Sequence, residues 1–204
     1  NIDVVYNRIV SSAMRYYIPE QDTVRMSENE IFELAERLLE VPGISYIKIR
    51  EIRRLKNNSE YGLELNGWVN VLYAYLTGDE SVVSEGTVDG DVLVAARQVM
   101  NMANEFSTQY EKEKFIHDYL VENTEYGFSS YFPFDAYGAL VDKECVCAGF
   151  SDAFELLMAM AGIDCISVSG EAFNGKERAG HGWNKVKIDG EWYNVDVTWD
   201  LGYP

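Results

Sequence analysis

Apolar residues recur at two different spacings along the chain, and the spacing changes mark out the elements. In SENEIFELAERLLEV, Ile31, Leu34, Ala35, Leu38 and Leu39 fall three or four apart, the period of an amphipathic helix. Ser27 with Glu30 three residues on forms a capping-box start, and Pro42-Gly43 ends the helix. ISYIKIREI alternates instead and predicts a strand, with a turn at Asn57-Asn58-Ser59. YGLELNGWVNVLYAYLTG, rich in β-branched and aromatic residues, is expected to be a second strand region. The polar, glycine-bearing run GDESVVSEGTVDGD is the best internal boundary. Helical spacing returns near 90–105 on Val92, Ala96 and Val99, and near 109–123 on Phe115, Ile116, Tyr119 and Leu120. After an aromatic loop, GFSSYFPFDAYGALVD, Cys147, Phe150, Phe154, Leu157, Met158 and Ala161 share one helical face, and Gly162 stops that helix. DCISVSGEAF reads as a strand and NGKERAG as a loop. HGWNKVKIDGEWYNVDVTWD reads as a hairpin around Asp189-Gly190.

Two domains are expected from this pattern: residues 1–88 as an α+β extension packed on the rest, and 89–204 as the core. One helix and two strands make a thin unit, which argues that the extension leans on the core. At 204 residues with 47% hydrophobic content, the chain has enough apolar side chain for a substantial core. A net charge of −17 opposes phosphate backbones and anionic bilayers, so nucleic acid is excluded as the expected partner. No apolar run reaches the roughly 18 residues of a membrane-spanning helix, so no membrane insertion is expected. The chain opens on Asn1 rather than Met and stops at TWDLGYP, as expected of a mature or trimmed form with more protein to follow.

Candidate chemistry lies in the last third. Three cysteines form no complete disulfide framework, and Cys145-x-Cys147 is too tight for a zinc knuckle, so no metal is expected. A hairpin centred on Asp189-Gly190 pairs residues whose numbers sum to 379, so Trp183 faces Asp196 and His181 faces Thr198. His181 and Asp196 are then diagonal neighbours on one face, about 7–8 Å apart along the backbone, within side-chain reach. A carboxylate there fixes the imidazole tautomer and stabilises the imidazolium. Cys147, at a helix start, lies where unsatisfied N–H groups and the helix dipole favour a thiolate. The same N–H groups can receive an oxyanion. Each residue alone is compatible with a packing or solvated role, and together they suggest a Cys-His-Asp triad. His117, alone on its helix, is expected to be structural.

At these residues the chain resembles the transglutaminase-like superfamily, in its bacterial branch, whose core is shared with papain-like cysteine proteases. YEKEKFIHDYLVENTEY resembles the helix before that core. AYGALVDKECVCAGFSDAFELLMAMAGIDCISVSG resembles the nucleophile helix and following strand, and the hairpin segment resembles the histidine and acid strands. The likeness runs over about residues 109–200; the first ninety or so carry no motif of the family. It implies an α+β fold with a papain-like core, a nucleophile helix packed on an antiparallel sheet. Nucleophile, base and acid would be Cys147, His181 and Asp196, with Cys145 a packed neighbour. It further implies a protein or peptide substrate, no cofactor, and an exported or cell-surface location. No glutamine or tryptophan precedes Cys147 closely as a side-chain oxyanion donor; Tyr137 is the nearest candidate. Trp183 is a candidate wall of the site, whereas Trp192 and Trp199 are expected to pack.

Two function classes remain open on the sequence. One is a cysteine acyl-transfer enzyme acting on peptide or glutamine-type amides through a thioester, with water (protease or amidase) or an amine (transglutaminase) as acceptor. Hydrolysis is the preferred outcome. The other is a non-catalytic surface binding module that keeps the fold. Thiol reactivity separates them, because an activated thiolate alkylates near neutral pH and a buried thiol does not.

Overall fold

The computed structural model describes residues 2–13, 23–38, 47–54, 59–65, 68–173 and 178–202. Of the turn expected at 57–59, residues 57 and 58 lie outside them and Ser59 opens a strand; of the loop expected at 174–180, residues 174–177 lie outside them and 178–180 belong to a strand. The chain divides into two compact units, 1–69 and 70–204.

The first unit contains helices α1 (Ile2–Ala13) and α2 (Glu28–Leu38) and strands β1 (Thr23–Met26), β2 (Ile47–Arg54) and β3 (Ser59–Leu65). The strands form an antiparallel sheet in the order β1-β3-β2, with a register shift between Glu51 and Arg53. The capping box read from the sequence is present: the Ser27 amide donates to Glu30 Oε2 at 2.9 Å, and the Glu30 amide donates to Ser27 Oγ at 3.4 Å. Arg37 ties α2 to α1, donating to Asp3 at 2.8 Å and lying 4.3 Å over the Tyr6 ring. Val24, Met26, Leu34 and Tyr61 are buried in this unit.

The segment expected as one long strand region is half helix. Strand β3 ends at Leu65, and Val69–Thr77 forms helix α3. Val71, Leu72 and Ala74 are fully buried there, spaced as one face of a helix rather than every second residue. Valine and tyrosine favour strands, but burial on a helical face overrides that weak preference.

The second unit, which also holds most of α3, packs a helix on a three-stranded sheet with further helices behind it, the α+β arrangement expected. Helix α4 (Val88–Ala103) is capped by Thr87, and α5 (Gln109–Asn123) by a full Thr108–Glu111 capping box. Two-residue strands β4 (Glu125–Tyr126) and β5 (Glu144–Cys145) pair in parallel. Between them runs the aromatic loop, which ends in a π-helical turn, Gly138–Asp142. Helix α6 (Cys147–Met160) follows, and Gly162, at φ +70°, terminates it. Strands β6 (Cys165–Phe173), β7 (Arg178–Ile188) and β8 (Glu191–Val195) form an antiparallel sheet in that order. Phe150, Phe154, Leu157 and Met158 of α6 are buried in the core with Ile116 and Leu120 of α5. Among the described residues no helix is long and apolar enough to cross a membrane.

The β7–β8 register is the one that the turn residues dictate. Asp189 and Gly190 both have positive φ, 50° and 91°, the type I′ geometry whose twist matches a two-residue hairpin. Lys187 pairs with Trp192, Lys185 with Asn194 and Asn184 with Val195. Gly190→Ala places a Cβ in the left-handed region and is expected to lower stability by about 1–2 kcal/mol, read as a lower urea midpoint with an unchanged slope.

Candidate active site

The site is built where the start of α6 meets the β7–β8 hairpin. Side chains alternate along β7, so Asn184, Val186 and Ile188 turn into the core while His181 and Trp183 take the alternate positions. Asp196 follows the last residue of β8. His181 Nε2 lies 2.7 Å from Asp196 Oδ2, with side-chain exposures of 10% and 24%. The other carboxylate oxygen, Oδ1, accepts the Trp199 amide at 3.1 Å. That bond holds Asp196 at the head of a 3-10 turn, Trp199–Leu201. One carboxylate therefore both orients the imidazole and closes the turn behind it.

Two indoles lie against the His181 ring. Trp183 stacks at 6.1 Å between centroids and 18° between planes, and Trp199 at 5.5 Å and 29°. Trp199 was expected to pack, yet it is 55% exposed and lies over the imidazole. Two indole faces and one carboxylate thus enclose the His181 ring. Trp192 instead lies under the Lys187 ammonium, 5.7 Å from its centroid.

Cys147 is the first residue of α6 and is part-exposed, whereas Cys145 and Cys165 are buried. Burial, the largest cause, pushes both of those thiols well above the ordinary thiol range. Val146, the residue before the helix, offers no side-chain cap. The Gly149 and Phe150 amides turn back to the Val146 carbonyl. Among the described residues the amides of Cys147 and Ala148 donate to no acceptor, which leaves two N–H groups at the positive end of the helix. Ala148 abuts β7: a Cβ on Gly182 would stand 3.9 Å from the Ala148 nitrogen. The helix start thus reaches the strand at the residue between His181 and Trp183. No hydrogen bond joins the Cys147 thiol to His181 among the described residues.

A buried polar cluster fixes this meeting. Asn184, 1% exposed, donates to the Ser151 carbonyl at 3.0 Å, and Ser151 Oγ donates to the Trp183 carbonyl at 3.1 Å. Ser167 of β6 joins it through Ser151 Oγ and the Glu155 carboxylate. Gly149 permits the close packing at the helix mouth: a Cβ there would fall 2.6 Å from that of Cys145 and 2.8 Å from the Pro133 carbonyl oxygen.

The remaining candidates are placed elsewhere or were missed. Tyr137 packs its ring on Phe132 at 5.0 Å, and burial first, then the negative charge of Asp91 of α4, raises its hydroxyl above the usual phenol range. Tyr126 was not singled out in the sequence. Its pairing with Cys145 brings it beside the helix mouth, where burial first, then the nearby Cys147 and Cys145, raise its hydroxyl above the usual phenol range. Only a two-residue parallel pairing places it there, and such a pairing leaves no periodic signal. His117 has the structural setting expected, with Nδ1 3.0 Å from Asp118 and Nε2 3.1 Å from Asp200 in the Trp199–Leu201 turn.

Residues 97–197 match the model of the Transglutaminase-like superfamily, and over that stretch, about half the chain, the protein belongs to this family. The kyphoscoliosis peptidases of mouse and human are each 33% identical to it over 66 residues, 28% of this chain. The chain spans only 10% of the length of those relatives. Among solved structures, a TGase aligns over 97% of this chain and 57% of its own at 15% identity and a TM-score of 0.47. A proposed cysteine protease from Cytophaga hutchinsonii aligns over 87% and 65% at 14% identity and a TM-score of 0.48.

Two outcomes follow from burial and bonding at this site. Brief iodoacetamide treatment of the native protein at pH 7 is expected to label Cys147 alone, with Cys145 and Cys165 labelled only after denaturation, as peptide mass mapping would show. Asn184→Ala removes the buried bond from β7 to the Ser151 carbonyl and leaves a void, and is expected to cost about 1–3 kcal/mol in urea unfolding.

Proposed function

We propose that this protein is a cysteine-dependent acyl-transfer enzyme acting on polypeptide amides. The His181–Asp196 hydrogen bond, beside a helix that starts on a part-exposed cysteine, carries the reading. His181 takes the Cys147 proton, and Asp196 and the two indoles stabilise the imidazolium that results. The thiolate sulfur adds to the amide carbon, and the amides of Cys147 and Ala148 receive the oxyanion. As the tetrahedral adduct collapses, the C–N bond breaks and His181 returns the proton to the departing amine. A thioester on Cys147 remains. Water or a second amine, deprotonated by His181, then attacks the thioester carbon and frees the sulfur. Hydrolysis is the favoured outcome, in line with the peptidases that share 33% identity with this chain over 66 residues.

A polypeptide substrate is supported by the loop before α6. Tyr126, Phe128 and Phe134 form an exposed run of edge-on rings, 6.4 and 6.3 Å apart. The loop is pinned rather than slack: the Ser129 amide donates to Glu144 at 2.6 Å, Ser130 Oγ to Asp142 at 2.6 Å, and the Val146 amide to the Pro133 carbonyl at 2.9 Å. Residues 125–152 carry five carboxylates against one lysine. Fixed, exposed rings in an acidic frame suit a segment with bulky apolar and basic side chains.

A non-catalytic binding module is the competing reading, favoured by the missing hydrogen bond between Cys147 and His181 and by the same aromatic surface. Alkylation of Cys147 followed from pH 5 to 9 separates the two. The enzyme reading expects fast labelling near pH 6 that His181→Ala slows at least tenfold. Labelling that rises only near pH 8.5, the range of a free thiol, and is equal in both proteins would leave the binding module. With a peptide pool as substrate, Cys147→Ala is expected to abolish turnover and Asp196→Asn to reduce kcat/KM at least ~100-fold. New peptide termini in mass spectra indicate hydrolysis, and incorporation of a fluorescent amine indicates transfer.

A further inference from the structure

A cavity of about 440 Å3 lies between α5 and the β7–β8 hairpin, and the acyl-transfer chemistry above makes no use of it. Val186, Ile188 and Val195 give it an apolar floor. Tyr110 and Tyr193, both more than half exposed, flank its opening. Glu113 enters from α5 and is 9% exposed. Among the described residues no hydrogen bond or ion pair reaches its carboxyl group, and burial raises it above the usual carboxylate range.

The basic side chains nearest Glu113, Lys114 and His117, oppose that rise electrostatically but make their hydrogen bonds elsewhere. Lys114 pairs with Asp118. His117, one turn further along α5, has Nδ1 on Asp118 and Nε2 on Asp200. The rim adds Asp189 and Glu191, and no lysine or arginine lines the cavity. The Glu113 carboxyl group opens on the cavity, partly withdrawn from bulk water, and is best compensated there by a cation. The walls specify that cation: a compact donor for Glu113, carried on a narrow apolar stem that covers the floor, passing between two aromatic rings at the mouth.

We propose that this cavity binds a primary alkylammonium group, its ammonium on Glu113 and its methylene stem against Val186, Ile188 and Val195. A guanidinium is planar and broad, and an uncharged alcohol leaves the carboxylate unpaired. The same chemistry is carried by a lysine side chain of another polypeptide and by a free diamine. The proposal does not depend on the chemistry of Cys147.

The test uses the full chain with Cys147→Ala, so that no amine is consumed. 1-Butylamine, 1,4-diaminobutane and Nα-acetyl-lysine N-methylamide are titrated by calorimetry and by amide NMR shifts at pH 7.5, with 1-butanol as the uncharged stem. Saturable amine binding is expected, with shifts centred on residues 110–113 and 186–195 and no saturation by butanol. Glu113→Gln keeps the shape and removes the charge, and is expected to weaken binding at least tenfold. Its Tm should equal or exceed that of the parent, because a buried charge is lost. Tyr193→Ala, at the exposed rim, gives a second reading and is expected to weaken binding at least threefold. Tighter binding of the lysine derivative than of butylamine identifies a polypeptide as the source, and tighter binding of the diamine identifies a free polyamine. No saturable binding of any amine, or equal affinity in Glu113→Gln, overturns the proposal.

Discussion

Ser151 and Asn184 fix where helix α6 stands on strand β7. Ser151 Oγ donates to the Trp183 carbonyl, and Asn184 Nδ2 donates to the Ser151 carbonyl. Both bonds lie one turn inside the helix, and both reach the strand within three residues of His181. A helix packed only through Phe150, Phe154 and Leu157 can slide along an apolar face at small cost, since dispersion and hydrophobic contact are non-directional. Buried hydrogen bonds cannot slide, because each shifted group would lose its partner. The distance from Cys147 to the strand is therefore set by polar bonds and not by the bulk of the core.

Charge is distributed with the same locality. Residues 70–204 carry 23 of the 34 acidic residues and 8 of the 17 basic ones. The first unit is nearly neutral and the second carries most of the net charge. Within that strongly negative unit His181 has one carboxylate at hydrogen-bond distance and two indole faces around it. Cys147 has a different setting, the positive end of a helix with two undonated amides.

The aromatic loop and the Glu113 cavity lie outside this bonded frame and illustrate two ways in which a fold leaves surface uncompensated. In the loop, rings are held out into water by hydrogen bonds to Glu144 and Asp142, so the exposure is built in and not a result of slack. In the cavity, a carboxyl group opens beside an apolar floor while Lys114 and His117 make their hydrogen bonds to other acids. Both are departures from the consistency that the rest of the unit shows, and such departures concentrate where a protein meets something else.

Period and turn chemistry made much of the second unit legible in advance. Helices α4, α5 and α6, strand β6 and the hairpin register follow from 3.6-residue and two-residue spacing and from the Asp189-Gly190 pair, whose positive φ values allow one pairing. That pairing stops at Asn184–Val195, short of the expected Trp183–Asp196 and His181–Thr198 pairs, and Asp196 reaches His181 from the turn just beyond β8. Helix α3 was misread because its strand-favouring composition is a weak local preference, reversed once Val71, Leu72 and Ala74 are buried on a common face. Local sequence has no means of recording contacts between distant segments. The parallel pairing of Tyr126 with Cys145 and the stacking of Trp199 over His181 join residues that share no period or turn. Sequence determined most elements of the second unit, the turn of its hairpin and the candidate chemistry, because each rests on neighbours along the chain. Only the tertiary structure decided which aromatic side chains face that chemistry and which carboxyl group opens on a cavity, because those depend on surfaces that exist once the helices have closed on the sheet.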